Sequence, residues 1–178
     1  GHVAASLDAM GELTRCFTAE FCIRPFLHAA AAPTFARLAQ WAADPDEHRR
    51  RLVSEGTRPR LPWAIRVPAL VRDPAPGLAL LETLRDDPSD YVRRSVANHL
   101  NDIGKDHPGL LLQVAGRWAR GADASRRGIL ARALRTQVDG LTGSTDGIGW
   151  VFPDQAGNGA HVNLSGGGVA THAPNREN

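Results

Sequence analysis

Asp44-Pro-Asp-Glu-His-Arg-Arg-Arg-Leu-Val-Ser-Glu55 lines up with Asp87-Pro-Ser-Asp-Tyr-Val-Arg-Arg-Ser-Val-Ala-Asn98 at an offset of 43 residues, and this internal repeat decides the fold. A weaker third copy, Ala131-Arg-Ala-Leu-Arg135, follows at an offset of 37. Periods of roughly 40 residues built from helix pairs are the signature of HEAT and armadillo stacks, in which each unit buries its apolar face only against its neighbours. The expected architecture is all-α: a right-handed, HEAT-like helical-repeat solenoid with a concave inner face.

Outward from the repeat, Ser6 to Val138 is dense in Ala, Leu and Arg and broken by frequent stop signals, so consecutive short helices are expected. The pattern predicts them near 6–16, 18–30, 34–42, 46–57, 63–71, 77–85, 88–103, 108–120 and 124–138. Pro88 and Pro108 suit first helical turns, where the missing N–H costs nothing. Pro33, Pro59, Pro62, Pro74 and Pro76 are expected between helices. Residues 1–140 thus form the repeat domain. Residues 141–178 hold eight glycines and four asparagines with no helical period, which predicts a low-complexity, irregular tail. Within it, Trp150, Val151 and Phe152 have the apolar character to dock on the last helix.

The bulk figures fit one soluble domain: 178 residues, 42% hydrophobic and 22% charged, exclude a wholly disordered chain. No apolar run approaches the ~18 residues that span a membrane, and Gly1 to Met10 lacks a secretory pattern, so a cytosolic or nucleoid protein is expected. Cys16 and Cys22 are too few for a disulfide framework or a Cys-based zinc site and read as buried or half-buried free thiols within one helical stretch. The seven histidines show no metal-ligand spacing, and no P-loop or nucleophile elbow is present, so neither metal nor cofactor is expected. The net charge of +2 is unevenly spread, since residues 1–140 carry 20 basic and 16 acidic side chains, or +4. Every basic residue but Lys105 is arginine, whose planar fork suits phosphate; a coding bias toward Arg and Ala explains the composition equally well.

Between Pro88 and Ile103, Val92, Val96, Leu100 and Ile103 recur at helical spacing and should face neighbouring helices. Arg94, Asn98, Asn101 and Lys105 share the opposite face, and Asp102 borders it about 40° from Asn98 at about 100° per residue. Arg51, Glu55 and Arg58 hold the same phase one repeat earlier, so Glu55, Asn98 and Arg135 are expected to form a ladder across one face. Arginines beside isolated carboxylates suit a ligand with anionic phosphates and a centre that becomes cationic during reaction. An ordinary solvated helix face with an Arg51–Glu55 pair is the alternative. Glu55-Gly-Thr-Arg-Pro-Arg-Leu-Pro-Trp63 is an extended turn that can aim Arg58, Arg60 and Trp63 at one surface. There Trp63 either stacks on a nucleotide or closes the turn as a buried side chain. Trp41 and Trp118, at helix ends, read as core, and Asp86 and Asp87 as helix-capping residues.

Phe17-Thr-Ala-Glu-Phe-Cys-Ile-Arg-Pro-Phe26, Ser54-Glu-Gly-Thr-Arg-Pro-Arg-Leu-Pro-Trp63 and Tyr91-Val-Arg-Arg-Ser-Val-Ala-Asn-His-Leu-Asn-Asp102 together resemble the AlkC-type branch of the HEAT-like-repeat DNA alkylation-repair glycosylases, over roughly residues 12–120. The resemblance implies a monomeric, monofunctional glycosylase without a cofactor. It would grip double-stranded DNA containing alkylated bases and hydrolyse the N-glycosidic bond of N3-alkylated bases such as 3-methyladenine. Glu55 and Asp102 would be the catalytic carboxylates. Arg24, Arg58, Arg60, Arg93, Arg94, Asn98, Asn101, Lys105 and Arg135 would contact DNA, with Trp63 against the nucleotide. Family members are longer, so the chain is expected to lack their opening helices, and the glycine-rich tail has no counterpart. The alternative is a catalytically inactive helical-repeat module that binds DNA or a protein.

Overall fold

The structure, a computed structural model, describes residues 2–142, and the expected tail falls almost wholly outside them. Among the described residues the chain is all-helical: α1 (Val3–Cys16), α2 (Arg24–Ala29), α3 (Ala31–Trp41), α4 (Glu47–Gly56), α5 (Pro68–Arg72), α6 (Ala75–Leu84), α7 (Asp90–Asp106), α8 (Pro108–Ala119) and α9 (Ala124–Thr142). None of these helices is long and apolar enough to cross a membrane.

The second helix of each pair, α4, α7 and α9, packs on the next to form one layer, while α3, α6 and α8 cover it on the other side. Leu52, Val53, Val92, Val96, Leu100, Ile103, Ile129, Leu130 and Ala133 fill the first layer, and Leu38, Leu81, Leu84, Leu111 and Trp118 meet them from the second. Trp41 and Trp118 are core residues, as expected. Gly56 lets two segments approach closely at the end of α4, since a Cβ there would lie 2.7 Å from Cγ2 of Ile23.

The repeats use the same local devices. Asp44 Oδ1 accepts from Asp46 N at 2.8 Å, and Asp87 Oδ1 accepts from Ser89 N at 2.9 Å, so each Asp-Pro turn is closed by its own aspartate. Arg50 then donates to the carbonyls of Asp44 and Pro45, and Arg93 to those of Asp87 and Pro88. Arg50 also clamps Asp87 through both carboxylate oxygens, at 2.7 and 3.1 Å, which ties one turn to the next. In the third repeat Arg127 donates to Ala122 O and Asp123 caps the helix through Arg126 N, both at 2.8 Å.

These contacts correct the register of the third copy. Arg50, Arg93 and Arg127 hold one structural role, as do Asp46, Ser89 and Asp123, so the second offset is 34 rather than 37. Asn98 therefore corresponds to Arg132, and Arg135 to Asn101.

The predicted 18–30 helix is instead a turn followed by α2, because Phe17 is extended and Pro25 starts a new helix in its first turn. The predicted 63–71 helix shrinks to α5, since Trp63 has a left-handed backbone and Pro68 sets the start. Pro33 and Pro76 lie in the first turns of α3 and α6, not between helices, while Pro88 precedes the Ser89 cap. Cys16 ends α1, Cys22 lies in the following turn, and both are exposed, which corrects their expected burial in a single helix.

Candidate active site

Glu55 ends its carboxylate beside three partners. Arg58 donates to its Oε1 at 2.6 Å, Ser95 donates to its Oε2 at 2.6 Å, and Arg51 stands 3.8 Å from Oε1. Arg58 follows the helix end at Gly56, where the chain turns back, so its guanidinium reaches across to α7 and donates to Asp102 Oδ2 at 2.8 Å. Lys105 stands 3.3 Å from the other oxygen of Asp102. On the far side, Arg51 pairs with Glu20 at 3.2 Å and lies over the ring of Tyr91, 5.1 Å from its centroid.

The result is a row of alternating charge: Glu20, Arg51, Glu55, Arg58, Asp102. Glu20 and Glu55 are each 7% exposed and Asp102 1%. Charges this buried persist only when paired and hydrogen-bonded, and here the three carboxylates meet Arg51, Arg58 and, at the rim, Lys105, so the row is closely balanced. Burial works against the Arg58 cation, yet Asp102 and Glu55 more than offset it and hold its pKa above the ordinary arginine value. The second oxygen of Glu20 is buried without a hydrogen-bond partner. That oxygen is the row's free acceptor, and a low-dielectric site strengthens its attraction for a cationic group.

The structure brings Glu55, Arg58 and Asp102 together and sets Lys105 at the rim. Arg60 is exposed and holds Asp106 through two bonds of 2.8 and 2.6 Å. Arg94 is exposed beside Asp90 at 2.9 Å, and Asn98 is half-buried on the same helix. Trp63 is 99% exposed with φ 58°, so the buried alternative is excluded. A non-glycine residue held in that region carries local strain, which marks the position as one to explain by use rather than by packing.

Two expected contacts, Arg24 and Asn101, are corrected by their burial, while Arg93 and Arg135 bond to main-chain carbonyls of the fold. Arg24 is fully buried and donates to the carbonyls of Ile65, Gly56 and Arg58, pinning the 56–65 turn from inside. Burial, with Arg58 nearby, lowers its pKa to about 10. Arg93 is used in closing its own repeat turn. Asn101 is 1% exposed, donating to Ala133 O at 2.9 Å and Thr136 Oγ1 at 3.0 Å, which fastens α7 to α9. Arg135 is exposed and donates to Arg132 O at 2.6 Å, and by the corrected register it does not continue the Glu55–Asn98 ladder.

Sequence reasoning missed Glu20, Tyr91 and Ser95 as site residues. Glu20 lies in the turn after α1, where no helical phase relates it to Glu55, and only its position inside the quoted Phe17–Phe26 motif pointed to it. Among the described residues no group of three or more His, Cys, Asp or Glu side chains is arranged to hold a metal ion.

Layered repeats carrying a buried row of alternating charges define a helical-repeat protein, and over these layers the chain is similar to proteins of the AlkC type. Its fold matches that of Pseudomonas fluorescens alkylpurine DNA glycosylase AlkC, solved bound to DNA containing an abasic site analog, with a TM-score of 0.75 and 41% identity over 81% of this chain. It is also 47% identical over 135 residues, 76% of its length, to the uncharacterized protein YhaZ of Bacillus subtilis strain 168. The chain spans 40% of the AlkC chain and 38% of YhaZ. No family model matches the sequence.

Proposed function

We propose that this chain supplies the catalytic layer of a DNA glycosylase that removes alkylated bases from double-stranded DNA, N3-alkylated purines such as 3-methyladenine above all. The observation that carries the reading is the buried row of three carboxylates held by Arg51, Arg58 and Lys105, with one Glu20 oxygen left without a hydrogen-bond partner. An N3-alkylated base is cationic, and its departure leaves an oxocarbenium-like sugar. Glu55 and Asp102, with Glu20 beside them, stabilise that charge as it moves from base to sugar, and a carboxylate orients the attacking water. Trp63 lies against the nucleotide, while Arg60, Arg94 and Lys105 reach phosphates. The similarity to a DNA-bound alkylpurine glycosylase supports both the partner and the chemistry.

The reading is monofunctional. The chain's one lysine, Lys105, sits beside Asp102 as a charged partner, and hydrolysis by water needs no amine to form a Schiff base. Incubation of the chain with methylated duplex DNA, followed by chromatography of released bases, is expected to yield 3-methyladenine above the spontaneous rate. Release no faster than in buffer, with salt-sensitive DNA binding retained, overturns the enzyme and leaves a binding module.

A further inference from the structure

We infer that Ser95 is a positioning residue for Glu55: its hydroxyl, supplied by the neighbouring repeat, fixes the carboxylate that the proposed glycosylase reaction uses. This inference rests on that functional reading. The repeat register exposes the anomaly. At offsets of 43 and 34, the positions matching Ser95 are Leu52 and Ile129, both buried core residues 0% and 2% exposed. Ser95 is itself 2% exposed. The fold thus asks for an aliphatic side chain here, and a buried hydroxyl is costly unless it is hydrogen-bonded.

Its bonds run toward the site. Ser95 Oγ lies 2.6 Å from Glu55 Oε2 and 3.0 Å from Ser54 Oγ. A hydroxyl has one proton to give, and the ionised carboxylate at the shorter distance takes it, so the Ser54 hydroxyl donates to Ser95 in turn. His99, neutral because burial holds its pKa at about 3, must donate from Nδ1 to the Ser54 carbonyl at 2.9 Å, since a carbonyl only accepts. The Ser54 main chain is thereby held to α7. With Arg58 on Oε1 and Ser95 on Oε2, both Glu55 oxygens are tethered, and the carboxylate keeps one rotamer before any ligand arrives.

The test is a double-mutant cycle read by single-turnover base release from duplex DNA containing 3-methyladenine. Ser95→Ala is expected to slow release about ten-fold, the scale of one hydrogen bond to a charged group, while its affinity for duplex DNA with an abasic analogue stays within about two-fold. Ser95→Thr, which keeps the hydroxyl, restores most of the rate. In a Glu55→Gln background, Ser95→Ala adds less than about a two-fold effect, because the hydroxyl acts only through Glu55. Should the alanine variant fail to fold, Ser95→Cys, close in size but a far weaker donor, reads the same loss. Undiminished release by Ser95→Ala, or an equal ten-fold loss in both backgrounds, overturns the positioning role while leaving the glycosylase reading intact. A parent chain that releases no base overturns both.

Discussion

Arg58 is the residue on which the site's electrostatics turn. Its guanidinium is buried between Glu55 and Asp102, carboxylates from consecutive repeats. Removing it leaves two buried anions facing each other, so Arg58→Ala is expected to destabilise the fold by about 3–5 kcal/mol in urea unfolding. His99 sets a pH limit. It is fully buried with its pKa lowered from 6.5 to about 3, chiefly by burial and then by Arg58. The unfolded chain therefore binds a proton below about 6.5 that the folded chain refuses until near 3, and stability falls with acidification across that window. Between pH 7.5 and 5.0 the loss from this group is expected to be about 2 kcal/mol. His99→Gln should flatten that slope in paired urea titrations; an unchanged slope would show that other groups set it. Trp63, exposed and left-handed, contributes no packing, so Trp63→Ala should leave Tm nearly unchanged while weakening DNA binding measured by fluorescence anisotropy.

At the scale of elements, the Asp-Pro turns explain why the first two repeats were legible and the third was not. Asp44, Arg50 and their partners at the next repeat form one motif visible as text, with each aspartate bonding two residues ahead and each arginine five and six behind. The third repeat keeps the arginine and the cap, Arg127 and Asp123, but lacks the Asp-Pro, so alignment by the Ala-Leu-Arg letters slipped three residues. That slip put Arg135 where Arg132 belongs. Helical phase set Glu55 and Asp102 near arginines, and only the resemblance chose them over an ordinary solvated face; phase misjudged Asn101, because the α7 face beside Asp102 is covered by α9 and not by solvent. Glu20 lies in a turn and Arg24 opens the six-residue α2, where periodicity carries no information. Asp46 tests the capping account: it accepts from His48 N and Arg49 N and pairs with Arg15. Asp46→Ala is expected to cost about 1 kcal/mol of stability, seen as a lowered Tm, with DNA binding little affected because the cap lies at the opposite end of α4 from Glu55.

For the whole molecule, a repeat stack gains its site by placing side chains of successive units side by side, so Glu55 of α4 and Asp102 of α7 meet through Arg58, which the turn after α4 supplies. Charge at this scale is more modest than the arginine count suggests. Many arginines close turns or pin carboxylates, and Arg60, Arg94 and Lys105 are outward cations of the proposed DNA face, each beside an acidic residue. With three phosphates neutralised, log K against log salt should have a slope of about −3, and alanine at any one of the three should reduce it by about 1. A slope near −8 would mean that a different, larger basic surface holds DNA.

The central claim is that carboxylates held by buried arginines stabilise positive charge as a damaged base leaves. Single-turnover release of 3-methyladenine by the chain and by Glu55→Gln, measured beside their affinities for duplex DNA carrying an abasic analogue, tests it most directly. The account predicts a rate reduced by about 100-fold or more with affinity nearly unchanged. Equal rates in the two proteins, or a loss of rate matched by a loss of affinity, would contradict it.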